Sequence, residues 1–295
     1  MDKIIKKVAA IHDLSGFGRA SLTTIIPILS TMGIQVCPVP TAILSTHTSG
    51  FEGYSFIDLT DYMEEHIAHW KKLNLEFDCI YSGFLGSPRQ IKIVCDFVDY
   101  FGSDENLVVV DPVLGDNGSL YGTMGQDMID EMRKLVSKAD IITPNFTEAA
   151  FLLGEEYKEK IDEEEVKGWL VKLSSMGPKI VLITSVPDND KKTADKYTSV
   201  IAYDKENDIF WKVSCKYIPA SYPGTGDAYT SVLIGSLLQG DSLPMAIDRG
   251  VQFITQCIKA SYGFKYPNRE GVLLERTLGI LKMPVILGGY ELLKK

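Results

Sequence analysis

The chain has 295 residues and a net charge of −9, with 45% hydrophobic and 23% charged residues, which fits one large domain or two small ones and is ample for a sizeable buried core. The acidic balance argues against a nucleic-acid-binding protein, which carries a basic patch. No apolar run reaches about 18 residues, so no membrane span is expected.

An anionic substrate remains compatible with this charge, because local N–H groups and metal ions outweigh the global field. The start, Met1-Asp2-Lys3, carries no long apolar stretch before a small-residue cleavage site, so no secretion signal is expected. Cys37, Cys79, Cys95, Cys215 and Cys257 are scattered and form no C-x-x-C. They read as reduced thiols of a cytoplasmic protein.

In chain order, Lys3 to Ile11 reads as a strand that stops at the polar run His12-Asp13-Leu14-Ser15-Gly16-Phe17-Gly18-Arg19. A helix is expected over Ala20 to Met32, kinked at Pro27. Ile34 to Val39 and Thr41 to Leu44 read as two strands, the second ending in Ser45-Thr46-His47-Thr48-Ser49-Gly50. Asp58 to Leu73 is expected to be helical, Phe77 to Tyr81 a buried strand ending in Ser82-Gly83-Phe84-Leu85-Gly86-Ser87, and Pro88 to Phe101 a helix with proline in its first turn. Leu107 to Val110 is a β-branched run typical of a central parallel strand. It leads into Asp111-Pro112-Val113-Leu114-Gly115-Asp116 and a glycine-bearing loop, Asn117 to Gly125, that holds Tyr121.

Gln126 to Ser137 follows as a helix and Ile141-Ile142 as a short strand entering Thr143-Pro144-Asn145-Phe146-Thr147-Glu148. Glu155 to Lys172 fits a solvated helix face. Pro178 to Ile183 is a strand ending in Thr184-Ser185, and Tyr197 to Tyr203 with Ile209 to Val213 reads as a hairpin turning over Asp204 to Asp208. Helices are expected after Gly224 and over Pro244 to Tyr262, with a partly helical tail from Gly271. The alternation of β and α predicts one doubly wound α/β domain over 1–295 with a mostly parallel central sheet and a late antiparallel hairpin.

Chemistry concentrates at the ends of the strands, where open α/β sheets bind ligands. Gly224-Thr225-Gly226-Asp227 opens an apolar helix whose first N–H groups have no internal partner and sit at the positive end of the helix dipole. The glycines let a ligand approach the backbone, and Asp227 holds a carboxylate beside that anion hole. This is the pairing that phosphoryl transfer to an alcohol needs: a base for the hydroxyl proton and donors for the charge on the phosphoryl group. Asp111, Asp116, Asn145 and Glu148 supply hard oxygen ligands suited to Mg²⁺ beside nucleotide phosphates. Each also has a plainer reading, Asp111-Pro112 as a turn and Asn145 or Thr147 as a cap for the helix bearing Glu148. Thr184 and Ser185 could bind phosphate, and His47 with Thr48 a polar aromatic ring, although a lone loop histidine is more often simply exposed. His66 and His69 read as an ordinary surface helix face, and Trp70, Trp169 and Trp211 as packing residues. There is no G-x-x-x-x-G-K-[ST] loop and no G-x-S-x-G elbow, and Ser21 stands where a dinucleotide fingerprint has its third glycine.

Taken together, Asp111-Pro-Val-Leu-Gly-Asp116, Thr143-Pro-Asn-Phe-Thr-Glu148, Ile183-Thr-Ser185 and Gly224-Thr-Gly-Asp227 resemble the ribokinase-like superfamily in order and spacing. Ser45-Thr-His-Thr48 and Ser82-Gly-Phe-Leu-Gly-Ser87 resemble its pyridoxal kinase branch. The resemblance spans about Val8 to Gly271. It implies a three-layer α/β/α fold, usually a homodimer, and an ATP- and Mg²⁺-dependent kinase of vitamin B6, with a monovalent cation as a further candidate cofactor. It makes Asp227 the base and the amides of Gly224, Thr225, Gly226 and Asp227 the anion hole. Asp111, Asp116 and Glu148 become acidic residues around Mg-ATP, with Asn145 in their network. Thr184 and Ser185 become phosphate contacts, and Tyr121 part of a loop closing over the nucleotide. Thr48, His47 and Phe84 match positions around the pyridine ring. Asp13 stands near the serine that binds the ring in better-known members, and Phe84 where many have tyrosine. An acidic Asp13 is expected to favour pyridoxamine. A hydroxymethylpyrimidine kinase is the nearest rival, though such enzymes typically carry cysteine at the position of Asp227. A sugar kinase fits less well, because Tyr222-Pro223 precedes the glycines. A silent B6-binding protein would not need Asp227, Asp111 and Glu148 together.

Overall fold

Successive residues of the first strand, β1 (Lys7–Phe17), alternate between two cores: Ala9 and Ile11 join one, Val8 and Ala10 the other, as the two-residue period of a strand requires. The same division recurs in β4 (Cys79–Ser82), β5 (Leu107–Val110) and β8 (Ile141–Ile142), so the sheet is covered on both faces. The structure is a computed structural model and describes residues 4–122, 124–188, 196–284 and 288–294.

The remaining elements, in chain order, are α1 (Leu22–Thr31), β2 (Gln35–Thr46), β3 (Phe56–Asp58), α2 (Thr60–Lys72), α3 (Pro88–Phe101), the small hairpin β6 (Gly115–Asp116) and β7 (Ser119–Leu120), α4 (Gln126–Val136), α5 (Phe146–Leu153), α6 (Glu163–Ser175), β9 (Ile180–Asp188), β10 (Tyr197–Asp204), β11 (Ile209–Lys216), α7 (Thr225–Leu238), α8 (Leu243–Gly263), α9 (Leu274–Thr277) and β12 (Glu291–Leu293). The main sheet runs β12-β11-β10-β9-β8-β5-β4-β1-β2-β3. Neighbours from β9 to β2 are parallel. Both edges are antiparallel, β3 at one and β10 to β12 at the other. Helices α2 to α6 pack on one face, with Phe97, Met132 and Trp169 at its centre; α1, α7 and α8 pack on the other, around Ile25, Val232 and Phe253. This is the ribokinase-like three-layer α/β/α architecture.

Several boundaries differ from the sequence expectation, each for a local reason. β1 does not stop at Ile11 but continues through His12 to Phe17, paired with β2 across a bulge where Thr41 and Ala42 face Asp13 alone; Lys3, its expected start, lies outside the described residues. The two strands expected around Pro40 are one. Beyond β2 only residues 42–44 pair with β3, so the alternate prolines Pro38 and Pro40 meet an open edge, where a missing N–H costs no ladder bond. Asp58 ends β3 rather than starting α2; its Oδ1 accepts from the Thr60 amide at 2.8 Å. α6 begins only at Glu163, because Asp162 caps it by accepting from Glu165 N at 2.8 Å, and Gly154 in the left-handed region closes α5 before that. β9 runs past Thr184-Ser185 to Asp188. Those two residues form a bulge opposite Val200, with Ser185 at φ +57.

Candidate active site

Because β1, β4, β5, β8 and β9 are parallel, their C-terminal ends open on one edge of the sheet, and the polar segments that follow them meet there. Asp111 comes directly after β5 and its amide donates to the Ser82 carbonyl at 2.9 Å. Facing it is the start of α7. Gly224, at φ +75, has no room for a side chain, since a Cβ would lie 2.3 Å from the Arg19 carbonyl oxygen. A Cβ on Gly226 would sit 3.6 Å from Asp111 Oδ2, so the Asp111 carboxylate lies over the first turn of the helix.

Asp227 is largely buried, its side chain 13% exposed. Its Oδ2 accepts from the Ser21 amide at 2.7 Å, and His12 Nδ1 lies 3.8 Å from its Oδ1. Burial, against the Ser21 hydrogen bond and with help from the Asp13 charge, lifts Asp227 to about 6. Asp13, on β1, is 5% exposed and accepts from the hydroxyls of Ser15 and Ser21. Burial raises its pKa despite those bonds. His12 is fully buried beneath Gly83, whose missing Cβ would fall 2.5 Å from Nδ1, and its ring meets Tyr81 edge-on at 4.4 Å. Burial lowers His12 to about 3, so it is neutral, and neither ring nitrogen has a well-aligned hydrogen-bond partner.

Glu148 and Asn145 form a capping box at the start of α5: Asn145 Oδ1 accepts from the Glu148 amide, and Glu148 Oε2 accepts from the Asn145 amide at 2.7 Å. The structural reading of these residues therefore holds, and it places them at the site as well. Glu148 Oε1 accepts from Leu114 N at 3.2 Å, and Asn145 Nδ2 donates to Gly115 O at 2.8 Å, tying α5 to the loop after β5. Glu148 is 3% exposed and burial pushes it up to about 8. Asp111 is raised by burial and then by Glu148 and Asp227. Tyr121 is raised by burial and by Glu148, Asp116, Asp111 and Asp227, which puts its phenol within the field of all four. Asp116 is exposed, its Oδ1 accepting from the Asn117 amide. Thr184 bridges to Asn145 in parallel register and its amide donates to Pro144 O at 2.9 Å. Thr123, within the loop 117–125, lies outside the described residues.

On the far side of β1, His47 is buried against Gly18, whose Cβ would fall 2.5 Å from the imidazole, and its Nδ1 accepts from the Ser49 amide at 3.2 Å. It is thus fixed, unlike the exposed loop histidine that is the commoner case. Thr48 beside it is exposed, and Phe84 is half-buried against the larger core. The residues that sequence reasoning passed over are His12, Ser15, Ser21 and Tyr81. Only His12 carried a signal, its even spacing from Val8 and Ala10, which continues one face of β1 into the site.

The raised acids have a consequence for stability. Asp227 and Glu148 hold protons more tightly folded than unfolded, so their stabilising contribution is complete below about pH 4. It is lost as pH rises through about 6 and about 8 respectively. The ligand-free protein is therefore expected to melt several degrees lower at about pH 8.5 than at about pH 6.5. Glu148→Gln, which keeps the capping box, is expected to flatten that difference. Equal slopes in calorimetric melts of the two proteins would contradict a buried charge at this position. The same crowd of carboxylates suits a divalent cation. Among the described residues no three His, Cys, Asp or Glu side chains form a ready cage, and Glu148 already accepts two backbone amides. The donor set fits a largely hydrated Mg²⁺ held through one or two carboxylates and phosphate oxygens.

Next to these acids lies a cleft of about 510 Å³. Its lining includes the polar or backbone-exposing Asp116, Thr184, Ser185, Thr225 and Gly226 and the apolar Val213, Val251, Ile254 and Ile258. Among the described residues, no helix is long and apolar enough to cross a membrane. The family profile described as phosphomethylpyrimidine kinase matches residues 19–271. A crystal structure of a putative phosphomethylpyrimidine kinase from Bacteroides thetaiotaomicron VPI-5482, determined with pyridoxal, is 57% identical over 98% of this chain and 100% of its own, with a TM-score of 0.93. The pyridoxal kinase structure from Lactobacillus plantarum is 31% identical over 95% of this chain and 97% of its own, at a TM-score of 0.84. Pyridoxal kinase from Dictyostelium discoideum is 29% identical, covering 80% of both chains.

Proposed function

The chain belongs to the phosphomethylpyrimidine kinase family and to its pyridoxal kinases, and from that premise we propose that it transfers the γ-phosphoryl group of ATP to the 5′-hydroxymethyl of a B6 vitamer, acting as one domain over 1–295. The observation that carries the reading is the buried Asp227 carboxylate in the first turn of α7, beside amides that a helix leaves without internal partners.

The vitamer lies with its hydroxymethyl toward Asp227 and its ring among Asp13, His47, Thr48 and Phe84. Asp227 accepts the hydroxyl proton, the alcohol oxygen forms the new bond to phosphorus, and the bond from phosphorus to the β,γ-bridging oxygen breaks, releasing ADP. The amides of Gly224, Thr225, Gly226 and Asp227 face the oxygens on which charge accumulates. ATP occupies the cleft, its base against the apolar lining residues and its phosphates running past Thr184 and Ser185 toward Thr225, with Asn145 holding the loop that Tyr121 closes. Asp111, with Glu148 and Asp116, would hold a Mg²⁺ ion, which would supply positive charge against the phosphates; a monovalent cation is a second candidate for the same acidic surroundings. Asp13 already has both oxygens engaged by hydroxyls, so its preference for pyridoxamine is a matter of charge alone. The five free thiols fit a reducing compartment, which favours the cytoplasm, and the family resemblance favours a homodimer.

The test is ADP release with Mg-ATP against pyridoxal, pyridoxine, pyridoxamine, hydroxymethylpyrimidine and ribose. Turnover is expected on the B6 vitamers. The pyrimidine is the second reading, favoured by the family description, and turnover on it alone would replace the B6 assignment. Vitamer binding without ADP release would make the protein a silent binder.

A further inference from the structure

Ser21 precedes α1, at the position where a serine hydroxyl normally accepts from its own helix. Its side chain makes no such bond. Its backbone instead stands at φ 49, ψ −133, a combination that favours glycine and costs a residue with a side chain about 1–3 kcal/mol. The amides of Thr24 and Ile25 still donate to the Ser21 carbonyl, both at 2.9 Å, so α1 itself is properly begun. The unusual turn sends the Ser21 amide to Asp227 Oδ2 at 2.7 Å and the hydroxyl to Asp13. One residue thus joins two buried carboxylates 214 positions apart (227 minus 13). The segment carrying it is wedged in place: the Arg19 carbonyl meets Gly224 on one side and Gly271 on the other, and the Arg19 amide donates to Glu270 O at 3.0 Å.

We propose that Ser21 is a positioning residue for the base, its strained turn aiming one N–H at Asp227 and its hydroxyl, anchored on Asp13, holding that turn against relaxation. The proposal rests on the reading of Asp227 as the base. The amide fixes the carboxylate so that its free oxygen faces the reacting hydroxyl, and the Asp13 bond offsets the conformational cost. The hydroxyl therefore acts through the backbone, and a residue that adopts the turn without strain replaces part of its effect.

Two substitutions separate this from a merely structural serine. Ser21→Ala removes the anchor and keeps the strain, so the turn relaxes and the amide leaves Asp227. Ser21→Gly removes the same anchor, but glycine takes up the turn freely. Assayed well below both melting temperatures, Ser21→Ala is expected to lower kcat about tenfold and Ser21→Gly only about threefold, with KM for ATP unchanged in both and any change in vitamer KM, from the lost Asp13 bond, equal in the two. Equal kcat values for the two variants, or a loss that appears only in KM, would overturn the positioning role. Asp227→Asn run in parallel separates the two readings: if it turns over like wild type, the base assignment fails and this proposal with it. If it is inactive while the two Ser21 variants match each other, the base assignment stands and only the positioning role fails.

Discussion

Asp227→Asn is expected to lower kcat by about 10²- to 10⁴-fold while KM for vitamer and ATP stays near wild type. Asparagine keeps the shape and still accepts from the Ser21 amide, which isolates the loss of the proton acceptor from any loss of packing. The pH dependence tests the same proposed assignment independently. The base must be ionised, and Asp227 is lifted to about 6. In wild type, kcat/KM should therefore fall about tenfold per pH unit on the acid side of about 6, and this limb should vanish from the residual rate of the variant. Steady-state ADP release between about pH 5 and about pH 8 measures both. A variant retaining wild-type kcat would place the base elsewhere.

The second large effect is expected from a single methyl. In Gly224→Ala the new Cβ would lie 2.3 Å from the Arg19 carbonyl oxygen and 2.9 Å from the Ala20 Cα, at a φ of +75. These neighbours are main chain and cannot rotate away. The start of α7 or the 19–21 segment must move, and with it the amide that holds Asp227. A displacement near 1 Å at reacting groups costs about 10²-fold, so kcat should fall by that order. Strain at positive φ adds about 1–2 kcal/mol and overpacking about 1–3 kcal/mol, which should lower the melting temperature by several degrees. Gly279→Ala is the control, since nothing lies within 4 Å of its Cβ. Thermal melts and initial rates on the three proteins decide the matter, and Gly224→Ala with unchanged kcat would count against the proposed anion hole.

Legibility in the sequence followed the physics of each element. Leu107–Val110 and Pro88–Phe101 fall where expected, because a continuous β-branched run and a proline-led amphipathic turn each have one stable outcome. The early strands were less legible. His12, Asp13 and Ser15 look like loop chemistry, yet the backbone pairing of β1 with β2 carries them to Phe17; polarity marks the site face of a strand here, not its end. Thr184-Ser185 was misplaced for a related reason, because a bulge resembles a strand terminus when only one strand is read. Asp111, Asn145, Glu148 and the 224–227 run could be picked out because each sits directly after a strand or opens a helix. Ser21 could not, since its bonds to Asp13 and Asp227 depend on segments that meet only in the fold.

The Ser21–Asp227 bond spans 206 positions, and that span has a consequence for how the chain is made. At about 5–20 residues per second of synthesis, roughly 10–40 s separate the emergence of its two ends from the ribosome. During that interval α1 packs on β1 and β2 without α7, and the core that Ile25 and Ile28 enter is incomplete until α7 and α8 are made. The nascent protein therefore carries a partly covered apolar helix, and a Ser21 turn without its Asp227 partner, until its last third is translated. A chain stalled before Thr225 is expected to aggregate or to need a chaperone, because that core is left open.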